Sequence, residues 1–265
     1  MFIKTFDNCN LFYEDEGNGE ICLVFIPGSG EDSKIWKYQR MFSKKYRTIF
    51  VDLPGIGKSD KCRDNYTIES YANDIKELIT KLNLNKVILI GHSMGGAIML
   101  ESICQIENQI IGLVGLDTLF PFDQSLYVQN SQEDIEKLTA LYRDNPYGIL
   151  KYRVLNEFLS DKFDPIDKEW ILHDVEQLDI HVLISQTVEL AKWNLIDVIK
   201  DIHKPIRLII SSISEEKGKN EFEKYFNDTI FVKGLKHLLM IEDFNLINQF
   251  LEDIIQSMIA KSFNT

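Results

Sequence analysis

Val87-Ile88-Leu89-Ile90-Gly91-His92-Ser93-Met94-Gly95-Gly96-Ala97-Ile98-Met99-Leu100 is the stretch whose reading decides the fold. Its first four residues form an apolar run suited to a strand buried on both faces, and the residues from Ala97 onward begin a helix. Between them Ser93 stands in the pattern Gly91-x-Ser93-x-Gly95. A nucleophile on a sharp strand-to-helix turn needs neighbours without side chains, because the backbone is strained there and adjoining elements pack closely. The geometry lifts the Ser93 hydroxyl clear of the sheet edge and aims the Met94 N–H, at the helix start, at a developing oxyanion. An ordinary glycine-rich turn shares the bare five-residue pattern. The flanking strand and helix favour the nucleophile.

Working outward, short strands are expected at residues 2–6 and 11–14, and a buried strand at 21–26 that ends in Pro27-Gly28-Ser29-Gly30. A helix over 33–45 follows, then a strand at 48–51 closing in Asp52-Leu53-Pro54-Gly55-Ile56-Gly57-Lys58-Ser59. Thr67 opens a helix that runs to about residue 82 as an N-cap, and 110–116 is the strand after the Ser93 helix. This alternation predicts an α/β fold with a doubly wound, mostly parallel sheet of about eight strands. It breaks after Asp117. Residues 120–204 hold no convincing buried strand, only helix-like segments at 132–142, 149–158, 168–178 and 185–194. An insertion of that size after the sixth strand predicts a helical cap over the carboxyl edge of the sheet. Strands resume at 206–210 and 229–232 with a helix at 220–226 between them, and an amphipathic helix spans 244–260. The expected division is a core of 1–119 and 205–265 with a cap of 120–204.

The length of 265 residues suits one large domain carrying an insertion. A net charge of −12, with no dense cluster of Lys or Arg, argues against a nucleic-acid partner. Cys9, Cys22, Cys62 and Cys104 are widely spaced, so no disulfide framework is expected, and Cys22 and Cys104 read as small core residues. The amino-terminal residues lack a signal-peptide apolar stretch, and no run approaches the ~20 apolar residues of a membrane span. The expectation is a soluble cytoplasmic protein.

A serine hydroxyl is a poor nucleophile unless a base lies within hydrogen-bond reach. Of the five histidines, His237 has the fitting context, just past the last expected strand and at the same sheet edge as Ser93. His92 points the other way off the turn and reads as structural, while His173, His181 and His203 read as surface or packing residues. The base needs a carboxylate to hold its tautomer. Asp117, at the end of the 110–116 strand, meets that requirement, and so do Glu215 and Glu216 after the 206–210 strand. An aspartate at a strand end also serves as a plain turn cap. The second oxyanion donor is expected from the loop after the 21–26 strand, with the Ser29 N–H as candidate. Gly57-Lys58-Ser59 is no phosphate loop, because Asp52 stands where that motif needs glycine. No His-Glu-x-x-His or close trio of ligands suggests a metal.

The chain resembles an α/β-hydrolase of the single-domain, capped type over essentially its whole length. The resemblance rests on Gly91-His92-Ser93-Met94-Gly95-Gly96, the Asp52–Ser59 stretch, Gly234-x-x-His237 and the Pro27-Gly28 loop. It implies a Ser–His–acid triad, a two-amide oxyanion hole and hydrolysis through an acyl-enzyme without a cofactor. Two departures stand out. Pro27-Gly28 replaces the family's usual His-Gly, and Ser214 stands where the family most often has its acid. Some relatives carry the acid one strand earlier, where Asp117 lies, so Asp117 is the chosen acid and Glu215 the reserve.

The expected activity is cleavage of a carboxylic ester or similar small acyl substrate, with Ser93 as nucleophile, His237 as base, Asp117 as orienting acid, and the Ser29 and Met94 N–H groups on the oxyanion. Esterase, thioesterase, lactonase, carbon–carbon hydrolase and aminopeptidase remain open. The rival from another class is a ligand sensor or partner-binding module on the same fold, which the departure at Ser214 would suit. Trp170, Trp193, Tyr127, Phe120 and Phe122 are candidates to line an apolar pocket, against the plainer reading that they pack helices.

Overall fold

A computed structural model describes residues 1–103, 106–120, 131–226 and 228–262, leaving the side chains of 212–217 and 221 undescribed. Eight strands form one sheet: β1 (Phe2–Lys4), β2 (Asn10–Glu16), β3 (Cys22–Ile26), β4 (Arg47–Asp52), β5 (Val87–His92), β6 (Ile110–Leu116), β7 (Ile206–Ser211) and β8 (Thr229–Val232). Their spatial order is β1-β2-β4-β3-β5-β6-β7-β8. β1 and β2 run antiparallel to their neighbours, and every pairing from β4 to β8 is parallel.

The reason lies in the apolar runs. All five residues of β3 are buried, and alternate side chains go to opposite faces, as a period of two requires. Val24 and Ile26 pack with Ile75 and Leu78 of α1 (Ile68–Lys81) and with Ala97 and Ile98 of α2 (Met94–Ser102). Leu23 and Phe25 pack on the other face with Trp36 and with Leu251 and Ile255 of α10 (Phe244–Ser262). A strand covered on both faces has no place for a polar side chain, so these runs read continuously apolar.

Between β6 and β7 the described residues are helical: α3 (Gln132–Asp144), α4 (Pro146–Arg153), α5 (Pro165–Glu176), α6 (Ile180–Lys192) and α7 (Leu195–Ile199). Pro146 and Pro165 sit at helix starts, behind Asn145 and Asp164 whose side chains cap the first turns. After α4 the chain continues as one π turn, Val154–Phe158. The carboxyl-terminal part adds α8 (Ser212–Tyr225) and α9 (Leu239–Glu242).

Three local readings change. The single helix expected over 33–45 is two short 3-10 segments, Ser33–Trp36 and Gln39–Lys44. Tertiary bonds hold it at intervals: the Ser33 N–H donates to Asp52 Oδ1 (2.8 Å), and Gln39 Nε2 donates to Met240 O and Asn248 Oδ1. The helix expected from 220 begins at Ser212 and is interrupted by non-helical backbone at Gly218. The cysteine reading is corrected as well. Cys9 and Cys62 form a disulfide with Cα atoms 5.8 Å apart. Their 53-residue separation hides the proximity, which arises because β2 pairs with β4 and the chain beyond β4 folds back over the start of β2. Asn10 and Asp60 clasp the two segments through Asn10 N to Asp60 Oδ2 and Asp60 N to Asn10 O, both 3.0 Å. Cys22 is a buried free thiol as expected, and Cys104 lies outside the described residues.

Closing a loop of that length removes much unfolded-state freedom. Replacing Cys9 and Cys62 together by Ser is expected to lower unfolding stability by roughly 2–4 kcal/mol, measured by urea denaturation. A midpoint of the unsubstituted protein that does not respond to dithiothreitol would show that the bridge is not formed.

Candidate active site

Parallel strands bring their carboxyl ends to one edge, and the loops there carry the chemistry-bearing residues. Ser93 follows β5 directly, with φ 50° and ψ −121°. A serine in that region costs on the order of 1–3 kcal/mol. The conformation is held by Ser93 N to Leu116 O (3.2 Å) and Gly96 N to Ser93 O (3.0 Å). Gly91 and Gly95 are glycines of necessity: a Cβ on Gly91 would strike the Gly95 carbonyl, and one on Gly95 the Ile26 carbonyl.

Asp117 follows β6, nearly buried and at φ 44°. Its Oδ2 lies 2.6 Å from His237 Nδ1, and its Oδ1 accepts the Ser211 N–H at 2.8 Å. The second bond fixes the carboxylate, which in turn fixes the imidazole with its proton on Nδ1. His237 stands beyond β8 with its side chain 18% exposed, and the ring of Phe158, in the π turn, lies 4.6 Å from its own. The structure thus brings together the carboxylate and the imidazole that the sequence singles out. The reserve acid, Glu215, belongs to α8, and its side chain lies outside the described residues, as does that of Glu216. No hydrogen bond among the described residues joins Ser93 Oγ to His237. Such catalytic contacts are often long before substrate binds.

Met94 follows Ser93 as the first residue of α2, and Ser29 lies in the loop after β3. Neither backbone N–H has a hydrogen-bond partner among the described residues. A Cβ on Gly28 would come within 3.0 Å of Ser93 Cβ, so the loop after β3 passes directly over the serine.

Three residues that sequence reasoning left out, Glu31, Gln186 and Tyr71, organise these loops together with His92, which it read as structural. Glu31 Oε2 accepts the Gly28 N–H at 2.7 Å and meets His92 Nδ1 at 2.9 Å. His92 Nε2 donates to the His237 carbonyl at 3.0 Å. A carbonyl can only accept, so Nε2 carries a proton, and an ionised Glu31 calls for a second on Nδ1. Burial works to raise the Glu31 carboxyl, but the His92 charge and the bonds from His92 and Gly28 outweigh it and hold Glu31 below its ordinary value. Burial works to lower His92, and the Glu31 charge outweighs that, so His92 is raised. The pair is therefore an imidazolium and a carboxylate. On the other side of the loop, Gln186 and Tyr71 hold Ser29 and Gly30 through bonds treated below. The sequence trace of Glu31 is its place three residues after Gly28; that of Gln186 is a polar side chain on the α6 face shared with Val182 and Leu190.

The Asp52 stretch is structural. Asp52 Oδ1 accepts Ser33 N–H, Oδ2 accepts Lys58 N–H at 2.8 Å, and Ser59 Oγ accepts the Phe12 N–H at 2.7 Å.

Beside the loop after β3 lies a cavity of about 250 Å³, bounded by Ser29, Gly30, Ile56, Val154, Phe158 and Leu178 among others. Of the aromatic candidates, Trp170 lines it. Trp193 instead packs in the core with its Nε1 donating to Glu101 (2.8 Å), and Phe120 meets Phe222 edge to face. Phe122 and Tyr127 lie outside the described residues. His173, His181 and His203 are exposed. Among the described residues, no group of three or more His, Cys, Asp or Glu is placed to hold a metal ion, and no helix is long and apolar enough to cross a membrane.

A doubly wound sheet with a serine elbow and a paired aspartate and histidine at its carboxyl edge defines a class, and comparison places the chain within it. The chain belongs to the alpha/beta hydrolase fold family, whose sequence model matches residues 21–148. It is 30% identical over 179 residues to the AB hydrolase superfamily protein YisY of Bacillus subtilis, covering 65% of this chain and 66% of YisY, just under two thirds. It is 29% identical over 208 residues to a 2-hydroxy-6-oxononadienedioate/2-hydroxy-6-oxononatrienedioate hydrolase of Comamonas testosteroni, covering 72% of this chain and 70% of that one. An esterase from Exiguobacterium antarcticum superposes with a TM-score of 0.82 at 20% identity, covering 97% of this chain and 99% of the esterase, a likeness of fold.

The Glu31–His92 pair gives stability a defined pH dependence. Its contribution is fully present between the ordinary carboxyl value of 4.5 and the ordinary imidazole value of 6.5. It is lost as pH falls through the lowered Glu31 value and as pH rises through the raised His92 value. In Glu31→Gln both of these losses are expected to disappear and to be replaced by a fall in stability as pH drops below the ordinary imidazole value of 6.5, where the buried His92 must be protonated without its partner, at a cost of roughly 3–5 kcal/mol. Urea midpoints against pH for both proteins check this, and identical profiles would contradict it.

Proposed function

We propose that the chain is a serine hydrolase that cleaves a carboxylic ester or similar small, uncharged acyl substrate through an acyl-enzyme. The observation that carries the reading is the 2.6 Å contact between His237 Nδ1 and Asp117 Oδ2 at the sheet edge where Ser93 stands on its strained turn. With Nδ1 committed to Asp117, Nε2 is the nitrogen free to act as base. Ser93 Oγ attacks the substrate carbonyl while His237 takes its proton, and the Ser29 and Met94 N–H groups stabilise the oxyanion. The tetrahedral intermediate collapses as His237 returns the proton to the leaving alcohol. Water then attacks the acyl-enzyme, His237 takes its proton and passes it to Ser93, and the acid departs.

In the same reading, residues 120–204 form a cap and the neighbouring cavity takes the acyl group. Its roughly 250 Å³ lies below the usual span of drug-sized sites, which favours short chains. The charged groups on its rim are paired, Lys34 with Asp32 (3.2 Å) and Asp174 (2.6 Å) and Lys61 with Asp179 (3.1 Å), which favours a neutral substrate. A cytoplasmic setting belongs to the proposal too. In a strongly reducing milieu, Cys9 and Cys62 would stand as thiols and the fold would lack that tether.

The missing hydrogen bond between Ser93 and His237 gives the ligand-sensor reading its one point of support, and covalent labelling decides between the two. A fluorophosphonate is expected to modify Ser93 promptly in the unsubstituted protein and far more slowly in His237→Ala; a folded protein that resists the reagent is a sensor. Asp117→Asn is expected to lower kcat by about 10⁴-fold, with little change in Tm. Across p-nitrophenyl esters, kcat/KM is expected to be highest for acetate to butyrate and to fall for decanoate and longer chains; the reverse order would mean the acyl group lies elsewhere.

A further inference from the structure

The loop that carries the Ser29 N–H is held from the helical segment by one buried side chain. Gln186 of α6 is fully buried. Its Oε1 accepts both the Ser29 hydroxyl and the Gly30 N–H at 2.9 Å. A backbone N–H can only donate, so the amide oxygen must face the loop and the amide nitrogen must face away. There Nε2 donates to Tyr71 OH at 2.8 Å, and Tyr71 OH donates to Pro54 O at 3.0 Å. Burial raises the Tyr71 hydroxyl far above its ordinary value, so it keeps its proton. Gly30 holds φ +72°, and Leu178 covers the place where a Cβ would stand. One residue before Gln186, Ser185 Oγ accepts the Tyr66 N–H at 2.8 Å, so α6 is seated by two independent polar contacts.

We propose that Gln186 is a positioning residue for the oxyanion hole: its carboxamide, anchored on Tyr71, holds the Ser29–Gly30 loop in the conformation that presents the Ser29 N–H, so the hole is complete only while α6 is seated on the sheet edge. The proposal rests on the hydrolase reading above. It also accounts for the loop that here follows Pro27-Gly28, whose conformation is set by side chains outside it.

The test uses the full chain, with p-nitrophenyl acetate kinetics and the fluorophosphonate labelling rate as paired readouts. Gln186→Leu removes the acceptor at similar volume and is expected to lower kcat and the labelling rate by roughly 10- to 100-fold, with KM within about twofold. Gln186→Glu keeps an acceptor for Ser29 and Gly30 and is expected to retain activity within several-fold of the unsubstituted protein. A folded Gln186→Leu with unchanged kcat overturns the proposal, as does a Gln186→Glu equally impaired, because a space-filling role would not distinguish the two. Should Gln186→Leu fail to fold, Tyr71→Phe removes only the hydroxyl that anchors Nε2; a several-fold drop in kcat at constant KM supports the proposal and an unchanged kcat overturns it. Failure of the hydrolase reading is seen separately, as resistance of the unsubstituted protein to labelling.

Discussion

The Glu31–His92 ion pair joins three loops that come from β3, β5 and β8. One carboxylate oxygen receives the Gly28 N–H and the His92 ring, and the far side of that ring holds the His237 carbonyl. Taking two charges out of water is expensive, and the cost is recovered only where geometry and hydrogen bonding are complete. Here both ring nitrogens have partners. The consequence is mechanical: the loop after β3, the Ser93 turn and the His237 loop cannot shift independently without stranding a buried charge. That rigidity also bears on Ser93, whose backbone conformation is uphill by itself and persists because neighbours over-determine it.

Most of the architecture is legible because a parallel sheet imposes a strong code. Runs such as Cys22–Ile26 and Val87–Ile90 have no polar alternation, which only burial on both faces tolerates, and each run ends in a turn rich in Gly, Pro or Asp. Once those ends are known to share an edge, Asp117 and His237 become partners even though 120 residues separate them. The residues alone left Asp117 and the glutamates after β7 open, and only the resemblance to relatives with the acid one strand earlier favoured Asp117; in the structure β5 and β6 pair as His92↔Leu116, which sets the residues that follow side by side.

What escaped the sequence has a common physical cause. Glu31, Gln186 and Tyr71 act through partners distant in the chain, and nothing about a glutamate in a loop or a glutamine on a helix announces burial. Cys9 and Cys62 escaped for the same reason, since their approach depends on which strand β2 pairs with, a fact of topology rather than local pattern. The segment over 33–45 has the apolar spacing of a helix and still breaks into 3-10 turns, because Ser33 and Gln39 are pinned to Asp52 and Asn248. Tertiary bonds override propensity wherever they are spaced more tightly than a helix can accommodate.

Two polar clamps therefore act on one loop from opposite sides, and they differ in kind. The Glu31–His92 clamp is ionic, belongs to the core and resists any displacement, since breaking it leaves an uncompensated charge. The Gln186 clamp is neutral and belongs to the helical segment, and each of its hydrogen bonds contributes only about 0.5–1.5 kcal/mol net. Releasing the loop from Gln186 thus costs on the order of a few kcal/mol, within the range of local opening in native proteins. On the proposed reading, such a site keeps Asp117 and His237 paired while the completeness of its oxyanion hole follows the contact of Gln186 with the loop. On the same reading, substrate is admitted with the loop loosened and held with it seated, and the division between charged and neutral anchors makes the first step inexpensive without disturbing the Asp117–His237 pair.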